Sequence, residues 1–313
     1  MTDNIIEIND LRVEYTSAKL NGSKKVKAVN GVSLKLKEGE VFAIAGESGC
    51  GKSTLAKAIT HLVPIKSGDI VFMGNDIHRY DKHQLKEYRK NVQMVFQNPY
   101  SSLNPKMTIK QILLEPLDIN TKLSKDEKLA RVIEIINKVG LNESQLDLYP
   151  HEFSGGQRQR IAIARALILK PKVIIADEPV SALDASIQAQ ILNMLNDLKE
   201  ELNLTLLFIS HDLSVIKFLS DKVAIMYLGE IVEIGTKNDI FNNPMHPYTK
   251  ALLNAIPKYG KKTEKLLSGD IPTELPNGCK FYSRCEFANC ECEKNKIELL
   301  EISSTHKVRC CKL

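Results

Sequence analysis

Apolar residues in this chain fall into two kinds of run: short uninterrupted blocks, and longer stretches in which they recur every three or four positions. VFAIA, Val41 to Ala45, is a block of the first kind, set between EGE and GESG. Its length and turn-forming flanks predict a strand buried on both faces. From Lys52 to Leu62, Leu55, Ala58 and Ile59 take helical spacing. Strand, glycine-rich turn and helix together open a βαβ unit. VIIA (Val173 to Ala176) ends on Asp177, and TLLFI (Thr205 to Ile209) ends on Ser210 and His211. Both predict further buried parallel strands. Between them Ile187, Ile191, Leu195, Leu198 and Leu202 mark a helix, with Asp184 placed to cap it. VAIMYL, GE and IVEIG, from Val223 to Gly235, predict a hairpin.

The middle of the chain has a different rhythm. Thr108 to Leu117 carries Ile109, Ile112 and Leu113, and Lys125 to Val139 carries Val132, Ile135 and Ile136. No strand pattern interrupts them, so a mostly helical insertion into an α/β core is expected. After Ile256 the chain turns polar and basic, KYGKKTEKLLSGD, which predicts a linker.

Composition narrows the class. The 313 residues suit one large domain or a domain plus an appendage. The net charge of +5 is mild and its lysines are scattered, which argues against nucleic acid as a partner. The start, MTDNIIEIND, has no apolar signal core, and no apolar run approaches the ~20 residues of a membrane span. A cytosolic protein is expected, held at a membrane only by partners. Six of the seven cysteines lie between Cys279 and Cys311. In a reducing compartment such clustering favours metal over disulfide.

Gly46, Gly51, Lys52 and Ser53 fit the phosphate-loop pattern GxxxxGK[ST]. Glycines let backbone N–H groups turn inward around phosphate oxygens, and the helix opening at Lys52 adds its positive end. Lys52 can reach the β and γ phosphates of ATP, and the Ser53 hydroxyl can ligate Mg²⁺. Asp177 closes a predicted strand, where a carboxylate can hold Mg²⁺, and Glu178 beside it can polarise an attacking water. FSGGQRQR, Phe153 to Arg160, predicts a second anion-facing helix start capped by Ser154. One ATPase needs one such start; two copies head to tail would use both.

GESGCGKST, VIIADEP, FSGGQRQR, SALD and the His after LLFIS together resemble the ATP-binding subunits of ABC transporters, over nearly the whole chain. The resemblance implies an α/β P-loop NTPase core with an inserted helical subdomain, about residues 98–165, and an antiparallel β subdomain. It implies a nucleotide-binding domain over 1–256, then a linker and a small Cys-rich extension over 257–313. Gly46, Ser48, Gly49, Cys50, Gly51, Lys52, Ser53 and Thr54 become the Walker A loop. Gln97 becomes the Q-loop glutamine, which touches Mg²⁺ and relays to the membrane partner. Ser154, Gly155, Gly156 and Gln157 become the signature motif, Asp177 the Walker B aspartate and Glu178 the catalytic glutamate. Asp184 matches the D-loop, His211 the switch histidine at the γ-phosphate, and Tyr15 the aromatic that stacks on adenine. Tyr15 also suits a packed strand position.

QNPYSSLNPKMTIKQILLEPL, YPHEFSGG and NPMHPYTKALLNAIP resemble, more narrowly, the oligopeptide and dipeptide import ATPases and their nickel-transporting relatives, the SSLNP stretch pointing to the F-type member of a pair. That resemblance implies a second, non-identical ATPase subunit, two transmembrane permeases, an extracytoplasmic solute-binding protein, and a place on the cytoplasmic face of the plasma membrane. A nickel or metal-chelate importer, or a soluble non-transport ABC ATPase, are the alternatives. The same subgroup often ends in GCxFxxRC, a third Cys and HxxxC, matched here by Cys279, Cys285, Cys292 and Cys310. Four thiolates suit a [4Fe–4S] cluster, or Zn²⁺; the remaining reading is a tail without metal that folds as a small capping appendage. Cys290 and Cys311 could replace their neighbours, and His306 could replace one thiolate in a zinc site.

Overall fold

A computed structural model of the chain describes residues 4–19, 22–256 and 276–312. The expected linker, with its basic run Lys258 to Lys265, lies outside the described residues. The chain begins with β1 (Asn4–Lys19), β2 (Gly22–Lys37), β3 (Val41–Ala45), α1 (Lys52–Ile59), β4 (Ser67–Phe72) and β5 (Asn75–Asp76). There follow α2 (Lys82–Asn91), β6 (Val92–Val95), α3 (Pro99–Ser102), α4 (Ile109–Asn120), α5 (Lys125–Lys138) and α6 (Gly155–Leu167). Next come β7 (Val173–Asp177), α7 (Ala185–Leu202), β8 (Thr205–Ser210), α8 (Leu213–Leu219), β9 (Lys222–Tyr227) and β10 (Glu230–Thr236). The chain closes with α9 (Lys237–Asn242), α10 (Pro247–Asn254), α11 (Cys290–Lys294), β11 (Leu300–Glu301) and β12 (Lys307–Val308). Among the described residues no helix is long and apolar enough to cross a membrane.

These elements fall into two compact units, one drawn from Met1–Ile6, Leu36–Glu40 and Val71–Ile209, the other from Glu7–Lys35, Val41–Ile70 and Ser210–Leu313.

In the first unit β6, β7 and β8 are parallel, with β7 between the other two. Val95 pairs with Ala176, and Asp177 with Ile209. All five residues of β7 are buried, as an apolar strand covered on both faces should be. β6 is a strand the apolar pattern does not announce: Gln93 breaks its run, and only its place beside β7 makes it one. The helical middle is as expected. Ile109, Ile112, Leu113, Val132, Ile135 and Ile136 are all buried, and α4 and α5 open on capping boxes built by Thr108 with Gln111 and by Ser124 with Glu127.

In the second unit β3 and β9 are parallel, Ala45 opposite Ile225. β9 and β10 form the expected hairpin, turning at Leu228 and Gly229, both at positive φ, as a two-residue hairpin turn requires. Ile8, Leu11 and Val13 are buried on β1, and Val29, Val32 and Leu34 on β2. The cysteine-rich end is more than an appendage beyond a linker. β12 pairs with β10, Val308 opposite Glu233, and β11 adds one more strand outside it. The tail thereby extends the sheet that carries β3.

A buried polar cluster fixes that join. His306 Nε2 lies 2.8 Å from Glu233 Oε1, and Glu233 also accepts the backbone N–H groups of Met245 and His246. Glu233 is fully buried, so each of its oxygens needs such a partner.

Candidate active site

The glycine-rich loop leaves the C-terminal end of β3 and runs into α1. Two of its glycines are forced by close approach: a Cβ on Gly46 would sit 2.2 Å from Met226 O, and one on Gly51 2.1 Å from Ala28 O. The β9–β10 turn braces the loop from outside, Gly229 N–H donating to Cys50 O at 2.8 Å. Lys52 is buried and its ammonium curls across the loop to Gly46 O (2.8 Å) and Glu47 O (2.9 Å). Cys50 is buried beneath it, and burial pushes its thiol up, so it is an inert wall and not a nucleophile. Ser48 and Gly49 are exposed, while Ser53 and Thr54 are half-buried on the first turn of α1.

In the first unit the strand register brings two of the expected residues together. Gln97 stands two positions after Val95, and Glu178 two after Ala176, the residue opposite it. Gln97 Nε2 accordingly donates to Glu178 Oε2 at 2.8 Å. Asp177 is the buried last residue of β7. Glu178 has φ 47°, a left-handed conformation that costs a bulky residue of order 1–3 kcal/mol. It is held there from three sides. Its N–H donates to Ile209 O, its carbonyl accepts from the Ser181 hydroxyl at 3.1 Å, and its carboxylate accepts from Gln97.

The SGGQ segment starts α6 as expected. Ser154 Oγ accepts from Gln157 N–H, and Gln157 Oε1 accepts from Ser154 N–H at 3.0 Å. The two glycines have a packing role beyond freeing the backbone. A Cβ on Gly156 would lie 2.4 Å from Ile187 Cγ2, so α6 meets α7 there with no room for a side chain; Gly155 is less tight, 3.4 Å from Leu183. Asp184 caps α7 through Ile187 N–H at 3.0 Å. In the second unit His211 follows β8 and is exposed, and Tyr15 on β1 is 40% exposed, so it is not a packed core tyrosine.

The donor set named for Mg²⁺ is a hydroxyl (Ser53), a carboxylate (Asp177) and an amide oxygen (Gln97), all hard oxygens of the kind Mg²⁺ takes. The tail differs. Among the described residues no three His, Cys, Asp or Glu side chains converge closely enough to hold a metal ion. Cys292 Sγ donates instead to Asn289 Oδ1 at 3.0 Å. His306 commits its Nε2 to Glu233. Burial pushes Cys279 up to about 11, and Cys285, Cys310 and Cys292 add to the effect. Cys292 and Cys310 are buried, whereas Cys290 is exposed on α11.

Sequence reading missed Glu47, Tyr248 and Arg284. Glu47 N–H donates to the Tyr248 hydroxyl at 3.0 Å, and its carboxylate is held twice by Arg284. The signals were there, in HPYTK and in the Arg of CKFYSRC, but nothing linear connects either segment to residue 47.

A phosphate loop on a buried strand, a carboxylate pair ending a parallel strand, and a capped SGGQ helix define an ABC-type ATPase. The family model for the ABC transporter matches residues 29–181, and that for the oligopeptide/dipeptide transporter C-terminal region matches 232–292. The chain is 47% identical to the oligopeptide transport ATP-binding protein OppF of Salmonella typhimurium, over 99% of this chain and 96% of that one. It is 50% identical to the dipeptide transport ATP-binding protein DppF of Escherichia coli, over 90% and 86%. An ATP-binding cassette solved as a dimer in a post-hydrolysis state, bound to ADP and Pi, superposes with TM-score 0.67 at 29% identity, covering 74% of this chain and 98% of that one. The chain belongs to the oligopeptide/dipeptide transport branch of the ABC ATP-binding proteins, and it is an ATPase of the ABC fold.

Proposed function

We propose that this ATPase drives a binding-protein-dependent importer of oligopeptides or dipeptides. The observation that carries the reading is the joining of an ABC cassette to a C-terminal region of the oligopeptide/dipeptide type in one chain. The cassette works at the cytoplasmic face of the plasma membrane, on two permeases, with a solute-binding protein outside. Its partner cassette is a second, similar chain placed head to tail, so that Ser154 to Gln157 of one faces the γ-phosphate held by the other.

Gly46, Ser48, Gly49, Cys50, Gly51, Lys52, Ser53 and Thr54 cradle the phosphates, and Tyr15 stacks on adenine. Ser53, Asp177 and Gln97 hold Mg²⁺, which neutralises charge on the phosphoryl oxygens when bound. Glu178 accepts a hydrogen bond from the attacking water and aligns it, while Gln97 holds the Glu178 carboxylate in place. His211 and Lys52 bind γ-phosphate oxygens, and Asp184 sets the start of α7 beside the partner. Donors preorganised on the developing charge are the main source of rate.

For the tail we propose thiolate ligation by Cys279, Cys285, Cys292 and Cys310, of a [4Fe–4S] cluster or of Zn²⁺. What supports it is the match of these four positions to the tail pattern of the subgroup, four thiolates being the ligand set such a metal takes. The domain division, 1–256 and 257–313 with the helical subdomain at about 98–165, belongs to the same reading. The test is affinity capture from detergent-solubilised membranes, followed by uptake of a labelled peptide in cells lacking the chain. Co-purified permeases and a second cassette, with uptake restored by the wild type and not by Lys52→Ala, are expected. Restored nickel uptake instead of peptide uptake, or a wholly soluble set of partners, overturns it. Anaerobic purification should give brown protein with iron and sulfide in equal amounts; colourless zinc protein would reverse the metal, and colourless protein without metal would overturn the ligation.

A further inference from the structure

Arg284 and Glu47 stand 237 positions apart and form a two-pronged ion pair. Arg284 Nη1 donates to Glu47 Oε2 at 2.8 Å, and Nη2 to Oε1 at 2.9 Å. The Arg284 side chain is 5% exposed and that of Glu47 28%. Parallel forked bonds of this kind fix the angle of both planes as well as their distance.

The guanidinium is bedded in aromatic rings. Its carbon lies 5.9 Å from the ring centroids of Tyr227 and of Phe281. Phe281 in turn meets Tyr227 edge-on at 5.4 Å and Tyr248 at 5.3 Å. Two routes therefore run from the tail to one loop residue: Arg284 to the Glu47 carboxylate, and Phe281 through Tyr248 to the Glu47 N–H. Arg284 directly precedes Cys285, and Phe281 lies two residues after Cys279, so both routes start inside the cysteine segment.

We infer that Arg284 is a positioning residue for the phosphate loop, through which the folding of the cysteine tail sets the affinity for ATP. This rests on the reading of Gly46 to Thr54 as the ATP phosphate loop. Lys52 clasps the loop through Gly46 O and Glu47 O. When Lys52 turns to the phosphates those bonds are released, and Arg284 and Tyr248 keep hold of Glu47. A loop already fixed in shape loses less conformational freedom on binding. Without the tail in place, ATP must order the loop itself.

The experiment is calorimetric titration of the full chain with Mg²⁺ and the non-hydrolysable analogue AMP-PNP, for wild type, Arg284→Ala, Arg284→Lys, Glu47→Ala and the double Ala variant. Arg284→Ala should weaken binding roughly tenfold, and the double variant should be no weaker than the worse single one. Arg284→Lys, which keeps the charge and loses the fork, should fall between. In the assembled transporter Arg284→Ala should raise KM for ATP and leave kcat near wild type. Unchanged affinity in Arg284→Ala, or single effects that multiply in the double variant, would overturn the inference. If Arg284→Ala does not fold, Arg284→Lys decides, and wild-type affinity in that variant overturns it. A wild-type chain that binds no AMP-PNP would instead sink the phosphate-loop reading.

Discussion

Gln97 and Glu178 are joined by a 2.8 Å hydrogen bond between the loops that follow two neighbouring parallel strands. The strand register alone puts them level, since Val95 pairs with Ala176 and each residue stands two positions further on. The bond leaves Glu178 fixed in a left-handed conformation, its carboxylate already aimed. On the proposed reading of Glu178 as the group that activates water, its carboxylate is worth about 10²–10⁴ in rate. Glu178→Gln is therefore expected to lower ATP turnover by about that factor while ATP still binds. Phosphate release and retention of labelled ATP on the protein check it; turnover near wild type would remove Glu178 from its role.

Gly156 sits against Ile187 with no space for a methyl group. Gly156→Ala should destabilise the first unit by about 1–3 kcal/mol, since the β-branched Ile187 cannot swing away. Ile187→Ala in the same chain should recover part of the loss. Urea midpoints of the two variants measure this, and an unperturbed Gly156→Ala would mean that α6 and α7 can separate freely.

Tyr15 stands exposed on β1, so its ring can be removed without opening a cavity. Tyr15→Ala should weaken ATP binding by about tenfold, the order of one base-on-ring stack, with Tyr15→Phe close to wild type. The unfolding midpoint should barely move. Equal ATP affinity in wild type and Tyr15→Ala would assign the ring no part in binding adenine.

His246 starts α10, its Nδ1 accepting from Tyr248 N–H at 3.1 Å. Burial pushes its pKa down to about 3. The folded protein thus keeps His246 neutral where the unfolded chain, with a pKa near 6.5, takes up a proton. The unfolded state binds more protons between those values, so stability is complete above about pH 6.5 and falls as the pH drops towards 3. The loss attributable to His246 between pH 6.5 and 5 is about 2 kcal/mol. His246→Asn, which keeps a capping oxygen and does not titrate, should flatten the slope over that interval in urea unfolding. A slope equal to wild type would show that other groups carry the acid sensitivity.

The candidate nucleotide-binding segments were legible because each is contiguous in the chain. A phosphate loop needs glycines and a lysine at fixed spacing on one turn, so GESGCGKST declares itself, as do VIIADEP and SGGQ. The buried strands β3, β7 and β8 declare themselves too, because a strand covered on both faces must be apolar throughout. β6 does not, because its identity comes from pairing with β7 and not from its own side chains. Neither does the second role of Gly156, which depends on where α7 crosses α6. The cysteine segment was visible as a cluster of possible ligands, yet its strand pairing with β10, the burial of Glu233 against His306, and the grip of Arg284 on Glu47 were not. Those contacts join residues more than 70 positions apart. The sequence by itself determined which local segments could bind phosphate, carry a carboxylate or start a helix, since backbone sterics and short-range spacing set those. Only the tertiary structure decided that the tail is built into the sheet that carries the phosphate loop, because burying a carboxylate or a guanidinium is tolerable only where a distant partner arrives to neutralise it.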